Sequence, residues 1–306
     1  MNNVGWCINC GVPLLQERCD HCGSASAFDV APDLSPVFAE EMLLLRKCLE
    51  FHSLPKRSQD LFLWSNGPYY YRHGQRVAKQ KLGGSNSPTI ELLKGYSSAS
   101  QDKRRESLKT SERFVRANVN HLHTITHEAK TFIRKVLEAD GRSMPVVPFS
   151  GGKDFTVVSA LARHVIPPSD LLHVFVDTGL ESPETLRFVD EFHRTNPAIP
   201  FLYARPNVDF FDMCELLGPP SRIKRWCCST QKTFPLGMVY GILGAEKQIT
   251  SLCGVRKCES VSRQSHKRVL DETKIAEEKM ICPILEWRDI EVWLFLLAES
   301  HPFNRD

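Results

Sequence analysis

The sequence lacks any apolar run long enough to cross a bilayer, which excludes the membrane-spanning class of proteins and a membrane as partner. Residues 1–11 contain neither the basic stretch nor the apolar stretch of a secretory signal, so we expect a cytoplasmic location. The net charge of +3 is too small to indicate a nucleic-acid partner by itself. Eleven cysteines are present, and an odd number in a reducing compartment favours metal ligation over a disulfide framework.

The first four cysteines form two CxxC-Gly knuckles, Cys7–Gly11 and Cys19–Gly23. Each knuckle places two thiolates on one side of a tight turn, and two such knuckles make a tetrahedral Zn²⁺ site. Because this ligand set is closed, we expect a structural or recognitional role for it. A redox dithiol pair and a rubredoxin-like iron site are the alternatives. The predicted zinc ligands are Cys7, Cys10, Cys19 and Cys22.

An apolar run ending in Ser-Gly-Gly-Lys-Asp stands at residues 145–154, and an amphipathic segment follows at 155–165. This order predicts a strand, a phosphate-binding loop and a helix, because glycines let backbone N–H groups approach an anion and a helix N-terminus carries partial positive charge. The spacing is neither that of the Walker motif nor the GxGxxG of dinucleotide folds. An ordinary glycine-rich turn is the alternative. The predicted nucleotide ligands here are Ser150, Gly151, Gly152, Lys153 and Asp154.

Beyond this loop, apolar strand patterns alternate with helical patterns, which predicts an α/β fold with a doubly wound parallel sheet. Such sheets bind ligands outside the carboxyl ends of their strands. Asp177-Thr178-Gly179 ends one predicted strand, so we expect Asp177 to accept hydrogen bonds from a nucleotide or to hold Mg²⁺, beside Thr178 and Gly179. A capped strand-to-helix turn is the alternative. Strands are predicted at 171–176, 200–204 and 248–252, and helices at 111–139, 182–194 and 208–217.

The length of 306 residues and the hydrophobic content of 42% predict two or three units with a sizeable core. A helical pattern at 36–52 and a hairpin around Asn66-Gly67-Pro68 indicate a small α+β module after the cysteine knuckles. The predicted organisation is a zinc ribbon at 1–30, the α+β module at 31–83, a linker at 84–110 and the parallel-sheet domain at 111–306.

The SGGKD loop resembles the PP-loop of the ATP-pyrophosphatase superfamily, whose members split ATP between its α and β phosphates. The usual continuation is a serine, and this chain has Phe155, so a hydroxyl that would face phosphate is missing. With further motifs in the same order, the chain resembles the phosphoadenosine phosphosulfate (PAPS) reductase family over 111–306. These motifs are Asp177-Thr178-Gly179 and the segments 226–235, 254–263 and 283–293. The resemblance implies an adenine nucleotide α-hydrolase-like, Rossmann-like fold and sulfur chemistry.

By this resemblance, Cys227 and Cys228 are the adjacent ligands of a [4Fe-4S] cluster, and thiolates suit such clusters. The family's other two ligands come from a CxxC shortly after a segment like 301–304, so we expect the domain to be truncated at its C-terminus. The alternatives are that Cys253, Cys258 or Cys282 completes the cluster, or that the cluster is absent.

The segment 254–263 corresponds to the family's anion-binding motif, with Arg256, Ser260 and Arg263 as its predicted ligands and Lys232 as a further basic candidate. Guanidinium groups bind phosphate or sulfate through paired hydrogen bonds. A structural salt bridge is the alternative. The catalytic candidates are Lys153, Asp154 and Asp177.

The function expected from these features is ATP-dependent sulfur transfer to a nucleic acid, tRNA or DNA, with an adenine nucleotide and Mg²⁺ in the PP-loop. A cysteine desulfurase or a thioredoxin-type protein is the expected sulfur donor or reductant. One alternative is a sulfonucleotide reductase, acting on phosphoadenylyl sulfate or adenylyl sulfate. The other is a non-catalytic nucleotide sensor or scaffold, in which Phe155 has ended turnover.

Overall fold

A computed structural model describes residues 3–38, 41–43, 45, 63–82, 88–93, 109–141, 143–244, 248–271, 273–276 and 278–304. The chain divides into two compact units, the first formed by 1–124 with 288–301 and the second by 125–287 with 302–306. Over the described ranges, no helix combines the length and the apolar character that a bilayer crossing requires.

The first unit contains two antiparallel sheets. A three-stranded sheet has the order β2-β1-β3, and a five-stranded sheet has the order β4-β5-β6-β7-β8. The strands are β1 (Val4–Cys7), β2 (Val12–Leu14), β3 (Asp29–Ala31), β4 (Ser35–Val37), β5 (Leu63–Asn66), β6 (Tyr69–Arg72), β7 (Gln75–Leu82) and β8 (Pro88–Leu92). The described helices of this unit are α1 (Thr110–Ala117), the start of α2 (Val119–Asp140) and α8 (Asp289–Ala298).

Several predicted elements of the first unit differ from those observed. The predicted hairpin is confirmed as β5 and β6. The helix predicted for 36–52 is wrong at its start, because Pro36 and Val37 pair with β5 as part of β4; residues 41–43 and 45 are helical, and the rest lies outside the described residues. The four-part domain division stays a prediction, but β8 lies inside its linker and pairs with β7.

The long helix predicted for 111–139 is interrupted at Asn118, which separates α1 from α2. The fully buried Asn118 side chain donates to the carbonyl oxygens of Phe114 (2.9 Å) and Pro13 (3.0 Å), and its amide oxygen accepts from the N–H of Leu15 (2.8 Å). A short amide that satisfies backbone groups of a neighbouring strand competes with regular helix geometry. The break in the helix therefore lets Asn118 hydrogen-bond backbone groups at and just after β2. The helical periodicity of the sequence does not reveal such a break.

The second unit is built on a six-stranded sheet of order β11-β10-β9-β12-β14-β13. The five strands from β11 to β14 pair in parallel, and β13 is antiparallel at the edge. The strands are β9 (Met144–Val147), β10 (Leu172–Val176), β11 (Phe201–Ala204), β12 (Ile249–Leu252), β13 (Val269–Leu270) and β14 (Glu278–Ile281). The helices are α3 (Lys153–Arg163), α4 (Pro183–Thr195), α5 (Phe210–Leu217), α6 (Trp226–Cys228) and α7 (Phe234–Leu243).

The chain runs outward from β9 through β10 to β11 and then crosses back to β12 on the other side of β9. This reversal makes a topological switch point between β9 and β12, where ligands bind in doubly wound sheets. The predicted α/β fold is therefore confirmed. The strands predicted at 171–176, 200–204 and 248–252 correspond to β10, β11 and β12.

His173 is fully buried in the middle of β10, among the rings of Phe149, Phe192 and Phe201. Its Nε2 lies 2.8 Å from the Ser159 hydroxyl, and its Nδ1 lies 3.2 Å from a backbone carbonyl oxygen. Burial lowers the pKa of His173 to about 4, a change that the nearby Arg163 charge reinforces. The imidazole is therefore held neutral in the folded chain.

We predict that this histidine destabilises the protein in mild acid. The unfolded chain binds a proton at His173 below about pH 6.5, and the folded chain only near pH 4, so the free energy of unfolding falls by up to ~3 kcal/mol across this window. Urea unfolding followed by circular dichroism between pH 7.5 and 4.5 measures the loss. His173→Phe is expected to flatten the pH dependence, whereas the exposed His193→Gln control retains it; equal slopes in all three proteins would contradict the prediction.

Candidate functional site

The SGGKD loop connects β9 to α3 at the switch point. Gly151 has a φ of +76°, and a Cβ at this position would lie 3.0 Å from a Val189 methyl group of α4. Glycine is required here for both reasons. Gly152 is the N-cap of α3, and within the described residues no side chain caps this helix end. The N–H groups of the first turn therefore point toward the position where an anion would bind.

The loop after β12 approaches the SGGKD loop closely. A Cβ on Gly254 would lie 2.9 Å from the backbone carbon of Asp154 and 3.0 Å from the backbone nitrogen of Phe155. Such distances are closer than Cβ atoms tolerate, so a side chain at Gly254 would push the two loops apart. The close spacing between the loops therefore depends on the absence of a Cβ at Gly254.

An ion pair joins the same two loops. Arg256 is only 3% exposed, and its Nε donates to Asp154 Oδ1 over 2.6 Å. Asp154 Oδ2 lies 3.4 Å from Lys153 Nζ, and Arg256 Nη1 lies 3.1 Å from Cys258 Sγ. Glu259 accepts from the Arg256 backbone N–H (2.9 Å) and forms an ion pair with Arg263. Four predicted site residues therefore lie close together, with positive and negative groups alternating: Lys153, Asp154, Arg256 and Arg263.

In this arrangement, the arginines of the predicted anion-binding motif are paired with carboxylates of the chain itself. Arg256 and Arg263 each face a carboxylate of the chain, as in the salt-bridge alternative, while Ser260 lies on the surface with its hydroxyl 3.0 Å from that of Ser262. Anion binding by Arg256, Ser260 and Arg263 stays a prediction.

Asp177 lies at the carboxyl end of β10, beside the switch point. Its Oδ1 accepts a hydrogen bond from the Gly179 N–H (3.1 Å). Its Oδ2 lies 2.8 Å from Nη2 of Arg205, whose side chain is 77% exposed. The Thr178 hydroxyl and N–H both donate to the Glu181 carboxylate. Asp177 therefore lies at the edge of the sheet where the sequence predicts it, whereas the Thr178 side chain is hydrogen-bonded to Glu181 within the same turn.

A cavity of about 650 Å³ opens at the carboxyl ends of the central strands. Of the predicted site residues, Ser150 and Lys232 line it. Most of its wall is apolar, with Phe155, Phe175 and Met280 among the lining side chains. Its volume falls in the range of small-molecule sites in proteins, about 300 to 1,000 Å³.

Sequence reasoning missed several polar groups near this cavity. Glu278 lines the cavity as a buried carboxylate on β14, and the Thr273 hydroxyl donates to it over 2.6 Å. His266 also lines the cavity, and its Nδ1 is buried without a partner among the described residues. Neither residue belongs to a recognisable motif. Arg205, the partner of Asp177, directly follows β11, so the rule that ligand groups follow strand ends could have found it.

Lys232 reaches the cavity from a π-helical turn, Ser229–Thr233, which lies between α6 and α7. Such turns are rare and occur at functional sites. Cys227 and Cys228 stand immediately before this turn and are half-buried. Burial by itself raises the pKa of the Cys228 thiol, but the hydrogen bond and charge of Arg225 and the charge of Lys232 outweigh it, so this pKa lies below its ordinary value.

Cys227 and Cys228 do not belong to a compact group of metal-ligating side chains in the described part of the chain. Within the described residues, the only group of three or more cysteine, histidine or acidic side chains that could hold a metal ion is the N-terminal one. Cys253 and Cys282 are buried, and Cys258 faces Arg256. Ligation of an iron-sulfur cluster by Cys227 and Cys228 stays a prediction.

The four N-terminal cysteines come together in the first unit. Their sulfur atoms all lie within 4.8 Å of one another, with Cys7 and Cys22 at 3.5 Å and Cys10 and Cys19 at 3.6 Å. In a tetrahedral site with Zn–S bonds of about 2.3 Å, the sulfur atoms are about 3.8 Å apart. Burial raises the pKa of the Cys7 thiol to about 11, a cost that a bound cation would offset. This arrangement fits a metal-binding zinc ribbon.

The fold and the loop define a PP-loop type of α/β domain, with the loop at the switch point of a parallel sheet. Residues 144–305 match the family model described as the phosphoadenosine phosphosulfate reductase domain, which is more than half of the chain. The chain belongs to this family. The family identifies a nucleotide-handling enzyme and leaves the reaction open.

Two curated relatives illustrate the range of the similarity. An uncharacterised protein from Methanocaldococcus jannaschii is 34% identical over 191 residues, which are 62% of this chain and 39% of the relative. An adenosine 5'-phosphosulfate reductase from Bacillus mycoides is 27% identical over 161 residues, which are 51% of this chain and 64% of the relative. The chain thus spans less than two thirds of the length of each relative.

Among solved structures, a phosphate complex of PAPS reductase from Candida auris is similar with a TM-score of 0.45 and 16% identity, covering 60% of this chain and 88% of that chain. An FMN adenylyltransferase from Candida glabrata is similar with a TM-score of 0.47 and 14% identity, covering 61% of this chain and 59% of that chain.

We predict that Lys153→Ala weakens the binding of ATP with Mg²⁺ by about 10- to 100-fold, as expected when a charge-assisted contact of about 1.5 to 3 kcal/mol is lost. Isothermal titration calorimetry measures the affinity. Lys135→Ala, at an exposed lysine of α2, is the matched control and should bind as the unmodified protein does. Equal affinity in the Lys153 and Lys135 variants would place the phosphates elsewhere.

We also predict one zinc ion per chain, held by the N-terminal cysteines. Elemental analysis of the purified protein measures it, and Cys10→Ser should lower the zinc content at least about fivefold, because three thiolates bind more weakly than four. Cys214→Ser, at a cysteine of α5, is the control and should keep the metal. Iron in place of zinc would favour the rubredoxin-like alternative, and no metal would favour the redox pair.

Proposed function

We propose that the second unit binds ATP with Mg²⁺ at the switch point and adenylylates an oxygen of a nucleic acid, tRNA or DNA, which then receives sulfur. The observation that carries this proposal is the complete SGGKD loop, positioned with Lys153 and Asp154 at the N-terminus of α3. A sulfonucleotide is already activated and needs no pyrophosphate cleavage, whereas a loop of the SGGKD type is suited to a triphosphate.

The phosphate groups of ATP would lie against the N–H groups at the start of α3 and near the Lys153 ammonium. The partial positive charge of the helix and this side chain both favour an anion. Asp154 and Asp177 offer carboxylate oxygens, which Mg²⁺ prefers as ligands, so these residues fit the metal that accompanies the triphosphate. When bound, Mg²⁺ would neutralise charge on the leaving pyrophosphate.

The adenine base would occupy the cavity. Its wall supplies Phe155, Phe175 and Val176 for apolar contact with a planar base. Glu278 is a buried acceptor on the same wall and could accept hydrogen bonds from the amino group of adenine. Such a site, apolar with a few placed polar groups, orients a ligand by those groups.

The reaction balances in two displacements. First, the acceptor oxygen attacks the α-phosphorus, the bond to the bridging oxygen breaks, and pyrophosphate leaves with that electron pair. Second, a hydrosulfide ion attacks the activated atom, and AMP leaves with the original oxygen; the hydrosulfide is released from a desulfurase persulfide by a thioredoxin-type dithiol, which is oxidised to its disulfide. Arg256 fixes Asp154 during these steps, and the basic groups near Cys228 would receive an anionic sulfur donor.

The test is a radiochemical assay of the protein as purified without oxygen. ATP labelled at the α-phosphate is incubated with Mg²⁺, with and without tRNA or duplex DNA, and AMP and pyrophosphate are measured. Pyrophosphate release that depends on one nucleic acid, and that Lys153→Ala abolishes, would support the proposal. Absence of release with every acceptor, while ATP still binds, would refute it.

A second candidate is sulfonucleotide reduction, favoured by the adenosine 5'-phosphosulfate reductases among the relatives. There a thiolate attacks the sulfate sulfur, AMP or its 3'-phosphate leaves, and a dithiol reductant releases sulfite. Reduced thioredoxin consumed in the presence of adenylyl sulfate, without any pyrophosphate release from ATP, would identify this reaction instead.

Phe155 is the residue at which ATP binding and ATP cleavage can be tested separately. Its half-buried side chain packs against the buried cluster of Cys253, Cys282 and Leu285. We predict that Phe155→Ser raises pyrophosphate release from ATP, because the hydroxyl that PP-loops carry at this position is restored. Initial rates at saturating ATP measure the change.

Phe155→Ala is the matched control, since it leaves the same space without adding a hydroxyl. Both variants lose the same half-buried ring, so each should be destabilised by less than the about 3 to 5 kcal/mol typical of a fully buried phenylalanine. Equal rates in the serine and alanine variants would show that the hydroxyl is not the missing element. Tight ATP binding with no turnover in any variant would favour the nucleotide sensor.

A further inference from the structure

One acidic side chain lies almost fully buried in the wall of the cavity. Glu278, on β14, is only 4% exposed and lines the cavity. Strands inside a parallel sheet are normally apolar, because both of their faces are covered. The next residue, Lys279, is also charged, but it forms ion pairs with Asp140 (2.5 Å) and Asp271 (3.7 Å). Glu278 forms no salt bridge with any described residue, so a structural ion pair does not account for it.

Thr273 holds one oxygen of this carboxyl group. Its hydroxyl donates to Glu278 Oε2 over 2.6 Å, and the Ile275 N–H donates to the Thr273 oxygen over 3.1 Å. A distance of 2.6 Å is typical of a hydroxyl that donates to an ionised carboxylate. Among the described residues, no group donates to Oε1 of Glu278. This second oxygen is therefore available to a ligand in the cavity, and a buried acceptor is costly to leave without a donor.

The surroundings of Glu278 make it a selective acceptor. Val176, Leu236 and Met280 line the same cavity with apolar side chains. In such surroundings the effective dielectric constant is low, so a hydrogen bond to a carboxylate is stronger and a missing one is more costly than in water. Glu278 therefore favours a ligand that presents an N–H group to it and opposes a ligand that presents an oxygen atom.

Purine bases differ in the group that they would present. Adenine has an amino group at C6, which donates, whereas hypoxanthine and guanine have a carbonyl oxygen there, which accepts. Guanine also has donors at N1 and at its 2-amino group, but a carboxylate needs both of its oxygens to pair with the two of them. Because Thr273 already donates to Oε2, the free Oε1 of Glu278 suits the single amino group of adenine.

We propose that Glu278 selects adenine nucleotides over 6-oxopurine nucleotides, by accepting a hydrogen bond from the 6-amino group at Oε1. Glu278 is then a specificity-determining residue, and Thr273 is a positioning residue that acts through it. The inference rests on the proposed function only in placing the base of the nucleotide in the cavity. It does not depend on the cleavage of ATP or on the acceptor that receives sulfur.

Isothermal titration calorimetry of the unmodified protein tests the selection directly. ATP, purine riboside triphosphate and inosine triphosphate, each with Mg²⁺, differ at C6, which carries an amino group, a hydrogen atom or an oxygen atom. The purine riboside nucleotide should bind about tenfold more weakly than ATP, because a hydrogen bond to a charged group is lost. The inosine nucleotide should bind at least about 100-fold more weakly, because its oxygen faces the carboxylate.

Affinities for inosine triphosphate or GTP within about threefold of that for ATP would overturn the proposal, since a buried acceptor should discriminate by more. Failure of ATP to bind would overturn it together with the proposed function. Pyrophosphate release from ATP, measured on the same samples, separates the two. Base selection without release refutes only the proposed reaction, and release without selection refutes only the role of Glu278.

Glu278→Gln tests the residue itself, because glutamine has nearly the same shape and its amide can donate as well as accept. The ratio of ATP affinity to inosine triphosphate affinity should fall at least about tenfold, mainly because the inosine nucleotide binds more tightly. Glu181→Gln is the matched control. Glu181 lines the same cavity, but the Thr178 N–H (3.0 Å) and hydroxyl (2.8 Å) donate to its two oxygens, so the ratio should stay the same. An unchanged ratio in Glu278→Gln would overturn the proposal.

Thr273→Val removes the hydroxyl that holds Glu278 and nearly conserves the volume of the side chain. The affinity ratio should fall by about three- to tenfold, because the carboxylate loses the donor that orients it. Thr273→Ser restores a hydroxyl and should restore the ratio, with circular dichroism as the check that each variant is folded. A purely structural role would weaken the binding of both nucleotides equally, so an unchanged ratio in Thr273→Val would overturn the positioning role.

Discussion

The ion pair between Arg256 and Asp154 is the interaction on which the candidate site depends. Asp154 belongs to the loop after β9 and Arg256 to the loop after β12, so the pair spans the switch point at which the sheet reverses direction. Because Arg256 is almost fully buried, breaking this ion pair by removing the Asp154 carboxylate would cost about 3 to 5 kcal/mol. The missing Cβ of Gly254 lets the loops approach, and the ion pair then holds them at that distance.

The sequence predicted the elements whose chemistry is local and missed those formed by distant residues. Helix α4 begins where Ser182 accepts from the Thr185 N–H, and the glycines of the SGGKD loop mark its turn, so both could be located from their own neighbourhoods. Arg256 and Asp154 are 102 positions apart, and their contact depends on the order of the strands. The buried Glu278 was missed for the same reason, since its strand β14 carries polar residues and pairs with β12 only in the assembled sheet.

Phe155 contributes packing at a position where the PP-loop pattern usually has a serine. It lies in the first turn of α3, next to Asp154, and packs against the cluster formed by Cys253, Cys282 and Leu285. This contact joins the start of the helix to the region after β12 and β14. A serine at the same position would have a hydroxyl near the phosphates but no such contact. The ring thus adds to the rigidity that the Arg256–Asp154 pair provides.

The π-helical turn links the cysteine pair to the cavity. In a regular α-helix, each residue is rotated by about 100° around the axis from the residue before it. The extra residue in the π-helical turn changes the angle between Cys228 and Lys232, and Lys232 reaches the cavity wall. The turn is held by hydroxyl groups, since Thr230 donates to the Trp226 carbonyl (3.1 Å) and Thr233 to the Cys228 carbonyl (3.2 Å). The Lys232 ammonium at the cavity wall and the Cys228 thiol, whose pKa is lowered, therefore lie on one short segment that these hydrogen bonds hold in place. A negatively charged sulfur at Cys228 and a negatively charged nucleotide beside Lys232 would both be stabilised by it, which is the electrostatic condition for bringing two anions together.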